Sequence, residues 1–106
     1  AAVYTQAGGW GSPVLLTPGV GGNNSVLEDI SIAADGSAAA SLHLYPYTTP
    51  GATRSVLLAR YAPGSGWANA VEVDQTAAES LFSRVALGDD GTAVVIWQQA
   101  SSTPTP

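Results

Sequence analysis

The chain has 106 residues, 45% of them apolar and only 10% charged, with a net charge of −5, no lysine and no cysteine. That composition excludes a disordered chain, a disulfide framework and a thiol nucleophile, and it leaves no basic surface for nucleic acid, whose binding rests on neutralising phosphates. No apolar run approaches the roughly 20 residues needed to cross a bilayer as a helix, so no membrane insertion is expected.

In chain order, the pattern predicts strands over residues 2–6, 13–17, 27–34, 38–47, 55–62, 70–74, 81–88 and 92–99. Alternation at Ile30/Ile32 and Val85/Leu87 fits strands with one buried face. Asp35-Gly36 and Asp90-Gly91 signal tight hairpin turns, because Gly readily takes positive φ. No segment shows sustained helical periodicity. Residues 75–81 are read as a loop, and residues 100–106, rich in Ser, Thr and Pro, as a flexible tail.

An internal repeat organises these strands. Tyr4, Gly9 and Trp10 recur as Tyr61, Gly66 and Trp67, an offset of 57 (67 minus 10). Residues 30–42 lie over residues 85–97 at an offset of 55 (90 minus 35), aligning Asp35-Gly36 with Asp90-Gly91. The difference of two falls in residues 19–24, a Gly/Asn stretch where insertion costs little.

The expected fold is all-β: two four-stranded antiparallel propeller blades over residues 1–99, permuted so that strand 2–6 completes a blade. Repeat one is placed at about residues 10–62 and repeat two at about 67–99, with the strand before each Trp taken as the last of its unit. This phase leaves Val94-Val95-Ile96-Trp97 at an edge without an outer partner, and unpaired edges invite strand addition. Two blades cannot close a ring of about four to eight. Homo-oligomerisation is therefore expected, with a trimer giving six blades favoured. A fragment of a longer repeat protein is the alternative.

The residues from Arg60 to Ala70, followed by Val85 to Trp97, resemble repeats of secreted bacterial β-propeller proteins, over nearly the whole chain and about twice. A narrower resemblance is to small two-blade bacterial lectins that trimerise into six-bladed fucose-binding propellers. They too carry an aromatic residue before a Gly-x-Gly-Trp turn. The resemblance implies sugar sites within and between blades, with Tyr61 and Trp67, and Tyr4 and Trp10 in the other copy, near the stacking positions. Arg60 is the implied polar partner. The strand Ser55-Val56-Leu57-Leu58-Ala59 carries no carboxylate where those lectins pair a Glu with their Arg.

Trp10 and Trp67 are the leading ligand-binding candidates, since sugars present C–H faces that pack on aromatic rings; the competing role for each is packing between blades. Trp97, which replaces Leu42, is assigned to packing. Asp35, Asp89 and Asp90 offer too few oxygens for calcium, which takes six to eight, and are read as turn residues. His43, the single histidine, has no partners for a metal site, and neither a metal nor a cofactor is expected. Glu28, Asp29, Asp74 and Glu79 are the candidates for a glycosidase pair across blades. The counterparts of Glu28-Asp29 are Ser83-Arg84, so no symmetric pair is encoded, and no enzymatic activity is expected. Asn23 begins an Asn-x-Ser sequon within surface loop sequence.

The function expected is a non-catalytic, carbohydrate-binding, lectin-like module, multivalent through propeller assembly. The alternative is a structural or interaction repeat of a larger secreted propeller protein with no small ligand of its own. A start at Ala1-Ala2 fits a removed secretory signal, hence a secreted or cell-surface location, and equally a cut from a longer chain.

Overall fold

A computed structural model describes residues 1–17, 24–48, 50–75 and 78–100. The reading of residues 100–106 as a tail, the insertion in residues 19–24 and the sequon at Asn23 lie wholly or largely outside these. The described residues form strands and turns only. These are β1 (Tyr4–Thr5), β2 (Gly9–Trp10), β3 (Asn24–Ile32), β4 (Ala38–Tyr45), β5 (Ser55–Ala62), β6 (Gly66–Trp67), β7 (Val71–Glu72), β8 (Ser80–Leu87) and β9 (Ala93–Gln99). No helix among them is long and apolar enough to cross a membrane.

Three antiparallel sheets result. The middle sheet runs β3-β4-β5 with β6 and β7 both on the far edge of β5; β8-β9 and β1-β2 are separate two-stranded sheets. The molecule is an elongated stack, with extents of 57 × 29 × 15 Å and a radius of gyration of 15.2 Å. A globule of this length would have a radius near ~13 Å.

The repeat is visible at atomic level. In the turn after β3, Ala33 N donates to Ser37 O at 2.8 Å and Gly36 N to Ala33 O at 3.0 Å. After β8, Gly88 N donates to Thr92 O at 2.8 Å and Gly91 N to Gly88 O at 3.0 Å. Gly36 and Gly91 share a φ of 89°. Asp35 Oδ1 accepts Ser37 N and Asp90 Oδ1 accepts Thr92 N, each at 2.9 Å. The aspartates thus fasten the turns in which the sequence placed them. Both β3 and β8 also carry a register shift, between Leu27 and Asp29 and between Leu81 and Arg84.

The core lies between the middle sheet and β8-β9. Ala39, Leu58 and Val85 form its centre, with Val73, Leu87, Ala93 and Val95 packed against it. Side chains alternate across a strand, so Ala39 and Ser41 face β8-β9 while Ala40 and Leu42 face the other way. There they border a groove that Val14 and Leu15 of the N-terminal segment also line. The β1-β2 hairpin and the β8-β9 sheet therefore sit on opposite faces of the middle sheet.

Two sequence expectations are corrected. Residues 13–17 form no strand: Pro13 lacks the N–H a ladder needs, and the segment is tied at isolated points, Val14 to Ala1, Leu16 O to Ala70 N at 2.9 Å, and Thr17 Oγ1 to Ser25 Oγ at 3.0 Å. The Gly-x-Gly-Trp turn, expected at the boundary between units, is not one. Instead it is a hairpin inside one sheet, with Trp67 opposite Tyr61 and, further on, Glu72 opposite Leu57. The expected 70–74 strand shortens to β7, which shares the edge of β5 with β6. Among the described residues, β9 pairs only with β8, and β1 only with β2.

Candidate functional site

Each Gly-Trp hairpin brings its aromatic pair together because the two residues are cross-strand partners. Tyr61 and Trp67 have ring centroids 5.4 Å apart with planes at 51°. Tyr4 and Trp10 repeat the arrangement at 5.4 Å and 60°. The same backbone bond closes both hairpins, Ala68 N to Arg60 O at 2.9 Å and Gly11 N to Val3 O at 2.8 Å. Gly9 and Gly66 hold positive φ in these turns, a conformation costly to any residue with a Cβ.

The Tyr61–Trp67 pair lines a cleft of about 330 Å³ together with Ser37, Arg60, Leu87 and Gly91. Its walls come from two sheets. Arg60 Nη1 reaches across and donates to Gly91 O at 3.0 Å. Arg60 has no ion-pair partner among the described residues, so a planar cation stands beside two aromatic rings. Trp67 Nε1 is buried without a hydrogen-bond partner, which leaves a donor whose desolvation is uncompensated.

A second cleft, about 230 Å³, is lined by Tyr4, Trp10, Ile32, Gly36, Tyr61 and Trp67 among others. Ile32 and Gly36 are the repeat counterparts of Leu87 and Gly91 (87 minus 32 and 91 minus 36 are both 55). The two clefts are thus one feature built twice. Their aromatic walls differ in exposure: Trp10 is 72% exposed, whereas Trp67 is half-buried between both clefts. The second also has Val3 where the first has Arg60, so only the first is lined by a cation.

The carboxylates weighed for acid–base work are engaged structurally. Glu28, its side chain 7% exposed, accepts Phe82 N at 2.7 Å, Ser83 N at 3.0 Å and Ser83 Oγ at 2.9 Å. Burial pushes its pKa up, but these bonds and His43 outweigh that and hold it below the ordinary value. His43 Nδ1 stands 3.3 Å from Glu28 Oε2, near enough to pair when protonated, yet it lacks hydrogen-bond alignment. The Val85 N–H beside Asp29 holds that carboxyl low, helped by Ile30 N–H and Arg84 against burial. Glu79 accepts Arg54 N at 3.2 Å and Arg54 Nη1 at 2.9 Å, and Arg54 also lies 4.5 Å from the Tyr45 ring centroid. Asp74 Oδ1 accepts Gln75 N at 3.1 Å. Asp89 Oδ1 accepts Ala34 N at 3.0 Å, tying the two repeat-related turns together.

Sequence reasoning missed this last role, and those of Glu28, Asp29 and Ser31 in binding β8. Their partners lie 54 to 56 positions away, and no local motif encodes such a reach. Among the described residues no three His, Asp or Glu side chains converge as a metal site. No family model, curated protein or solved structure matches the chain, so the reading of these clefts rests on their geometry.

Proposed function

We propose that this chain is a non-catalytic, carbohydrate-binding module of a secreted β-propeller, made multivalent by assembly with copies of itself, a trimer of six blades being the favoured form. In this reading β3-β4-β5 with β6 and β7 is one complete blade. The β8-β9 sheet is the inner half of the next blade, and β1-β2 the outer half of another.

The observation that carries the binding role is the duplicated cleft: a Tyr–Trp pair in a glycine-locked hairpin, at the junction of two sheets, with Arg60 beside one copy. Aromatic faces take the C–H face of a pyranose, and a guanidinium fork takes adjacent hydroxyls. Repetition around a ring turns weak single sites into avidity through effective concentration.

A glycan array probed with the intact chain tests the reading. Binding should appear and then fall at least tenfold in Trp10→Ala and Arg60→Gln, neither of which removes a buried side chain. Silence across a broad array sinks the lectin reading. It would favour the second one, a purely structural repeat, for which the observation is the row of exposed apolar residues Leu27, Ile30 and Ile32 on the middle sheet.

A further inference from the structure

We infer that β9 pairs with β1 of a second copy of this chain, placing Ala93 opposite Tyr4, Val94 opposite Val3 and Val95 opposite Ala2, and that this partner supplies the missing wall of the Tyr4–Trp10 cleft. The inference rests on the propeller reading above and adds to it the register, the faces and the shared site.

Burial of the same position in the two repeats identifies the occupant. Val85 is 8% exposed, while its counterpart Ile30 is 49% exposed and the neighbouring Ile32 is 69% exposed. Val85 is covered by the middle sheet at Ala39 and Leu58. The residue matching Ala39 is Val94 (94 minus 39 is 55), and it is 57% exposed on the outer face of β8-β9, whereas Ala39 is fully buried. Each bare face lacks what the internal seam provides. The face of Ile30 and Ile32 lacks a Val94, and Val94 lacks an Ile30. A second copy brings both.

The edges agree with the faces. β4 pairs with β5 over seven positions, including Ala38–Tyr61, Ala39–Arg60 and Ala40–Ala59. Transferred by the two offsets, these become the three pairs named above. The chain's own β1 cannot serve, because it lies across the middle sheet from β9. Val94-Val95-Ile96-Trp97 carries none of the charges or prolines that keep sheet edges from pairing.

The site follows from the same transfer. Ser37 walls the Tyr61–Trp67 cleft, and its counterpart Thr92 lies at the head of β9. Docking carries the partner's β9 to β1 and brings the Thr92 of that copy beside Tyr4 and Trp10. The second cleft, about 230 Å³ alone, is then walled like the first.

The native chain has no cysteine, so engineered thiols report cleanly. Directly opposed strand residues lie about 4.5–5.5 Å apart at Cα, within disulfide range. Val3→Cys and Val94→Cys chains, mixed and mildly oxidised, should lose their monomer band on a non-reducing gel to a mixed dimer. Neither chain alone should do so, nor should Thr5→Cys mixed with Val94→Cys. Absence of the mixed dimer overturns the pairing, as does a double variant that closes its disulfide within a single chain. Light scattering on the unaltered chain guards against misfolded variants: a multiple of 10.7 kDa supports the inference, and a single 10.7 kDa particle overturns it. Cross-linking without glycan binding sinks only the lectin reading.

Discussion

Asp29 Oδ2 accepts the backbone N–H of Val85 at 2.9 Å, across the seam between the middle sheet and β8-β9. Its other oxygen accepts Ile30 N at 2.9 Å, so one carboxylate holds the same amide position of both repeats. Glu28 above it takes Phe82 N and Ser83 N, and Ser31 Oγ below it takes Leu87 N at 3.0 Å. These N–H groups lie on the edge of β8 turned away from β9. Side chains of β3 thus satisfy an edge that no strand covers among the described residues, which meets the demand that buried backbone donors be paired. Glu28 also fixes Phe82, which holds a φ of 58°, a strained value for a residue with a Cβ.

Removing Glu28 should therefore be costly. In Glu28→Ala the buried Ser83 amide and hydroxyl lose their acceptor, and unfolding stability should drop by about 1–3 kcal/mol. Glu72→Ala, at an exposed position, should stay within about 0.5 kcal/mol of the native chain. Urea denaturation followed by tryptophan fluorescence measures both. Equal midpoints for the two variants would remove Glu28 from the seam.

The seam also sets a pH dependence. The pKa of Glu28 and that of Asp29 lie below ordinary values of 4.5 and 3.8 in the folded chain. For a carboxyl depressed by folding, the stabilisation is fully present above the unfolded pKa and is lost as pH falls through the folded one. Stability should thus be level above about pH 5 and decline below it, with the Glu28→Gln/Asp29→Asn double variant showing a shallower decline. Asp35 and Asp90, lowered chiefly by hydrogen bonds from Ser37 and Thr92 respectively, retain part of the slope in that variant. Thermal melts at pH 6, 4 and 3 check this, and a double variant as acid-sensitive as the native chain would refute it.

Local chemistry made the turns and aromatic pairs legible in sequence. Asp35-Gly36, Asp90-Gly91, Tyr4–Trp10 and Tyr61–Trp67 each act within a few residues of themselves, so a short motif carries the whole instruction. The phase of the repeat was not legible. A periodic sequence fixes spacing, while only hydrogen bonding decides which strands share a sheet, and Tyr61–Trp67 turned out to join strands rather than divide them. The second piece lost was Glu28-Asp29. They accept the backbone amides of Phe82, Ser83 and Val85 around their own counterparts, Ser83-Arg84, and self-similarity hides such complementary roles.

The matched turns give a direct comparison of the two repeats. Gly36 and Gly91 share a φ of 89°, and an added Cβ meets only ordinary contact at Gly36, 3.5 Å from Pro63 Cγ, and open space at Gly91. Backbone strain is then the whole penalty. Gly36→Ala and Gly91→Ala should each cost about 1–2 kcal/mol, equal within error, by chemical denaturation. A large difference between them would mean that the two turns are not the same structure.

Trp67 offers the last test, because its packing and its unbonded N–H can be separated. Trp67→Ala removes a half-buried ring that borders both aromatic clefts and should cost about 3 kcal/mol. Trp67→Phe keeps most of the apolar contact and eliminates a buried donor that has no partner, so the lost packing is offset by the relieved desolvation. Its stability should fall within about 1 kcal/mol of the native chain. Glycan binding should follow the ring: Trp67→Phe retains a stacking face and should keep most of the affinity, whereas Trp67→Ala should lose it. If Trp67→Phe melts as early as Trp67→Ala, the indole N–H has a partner in solution.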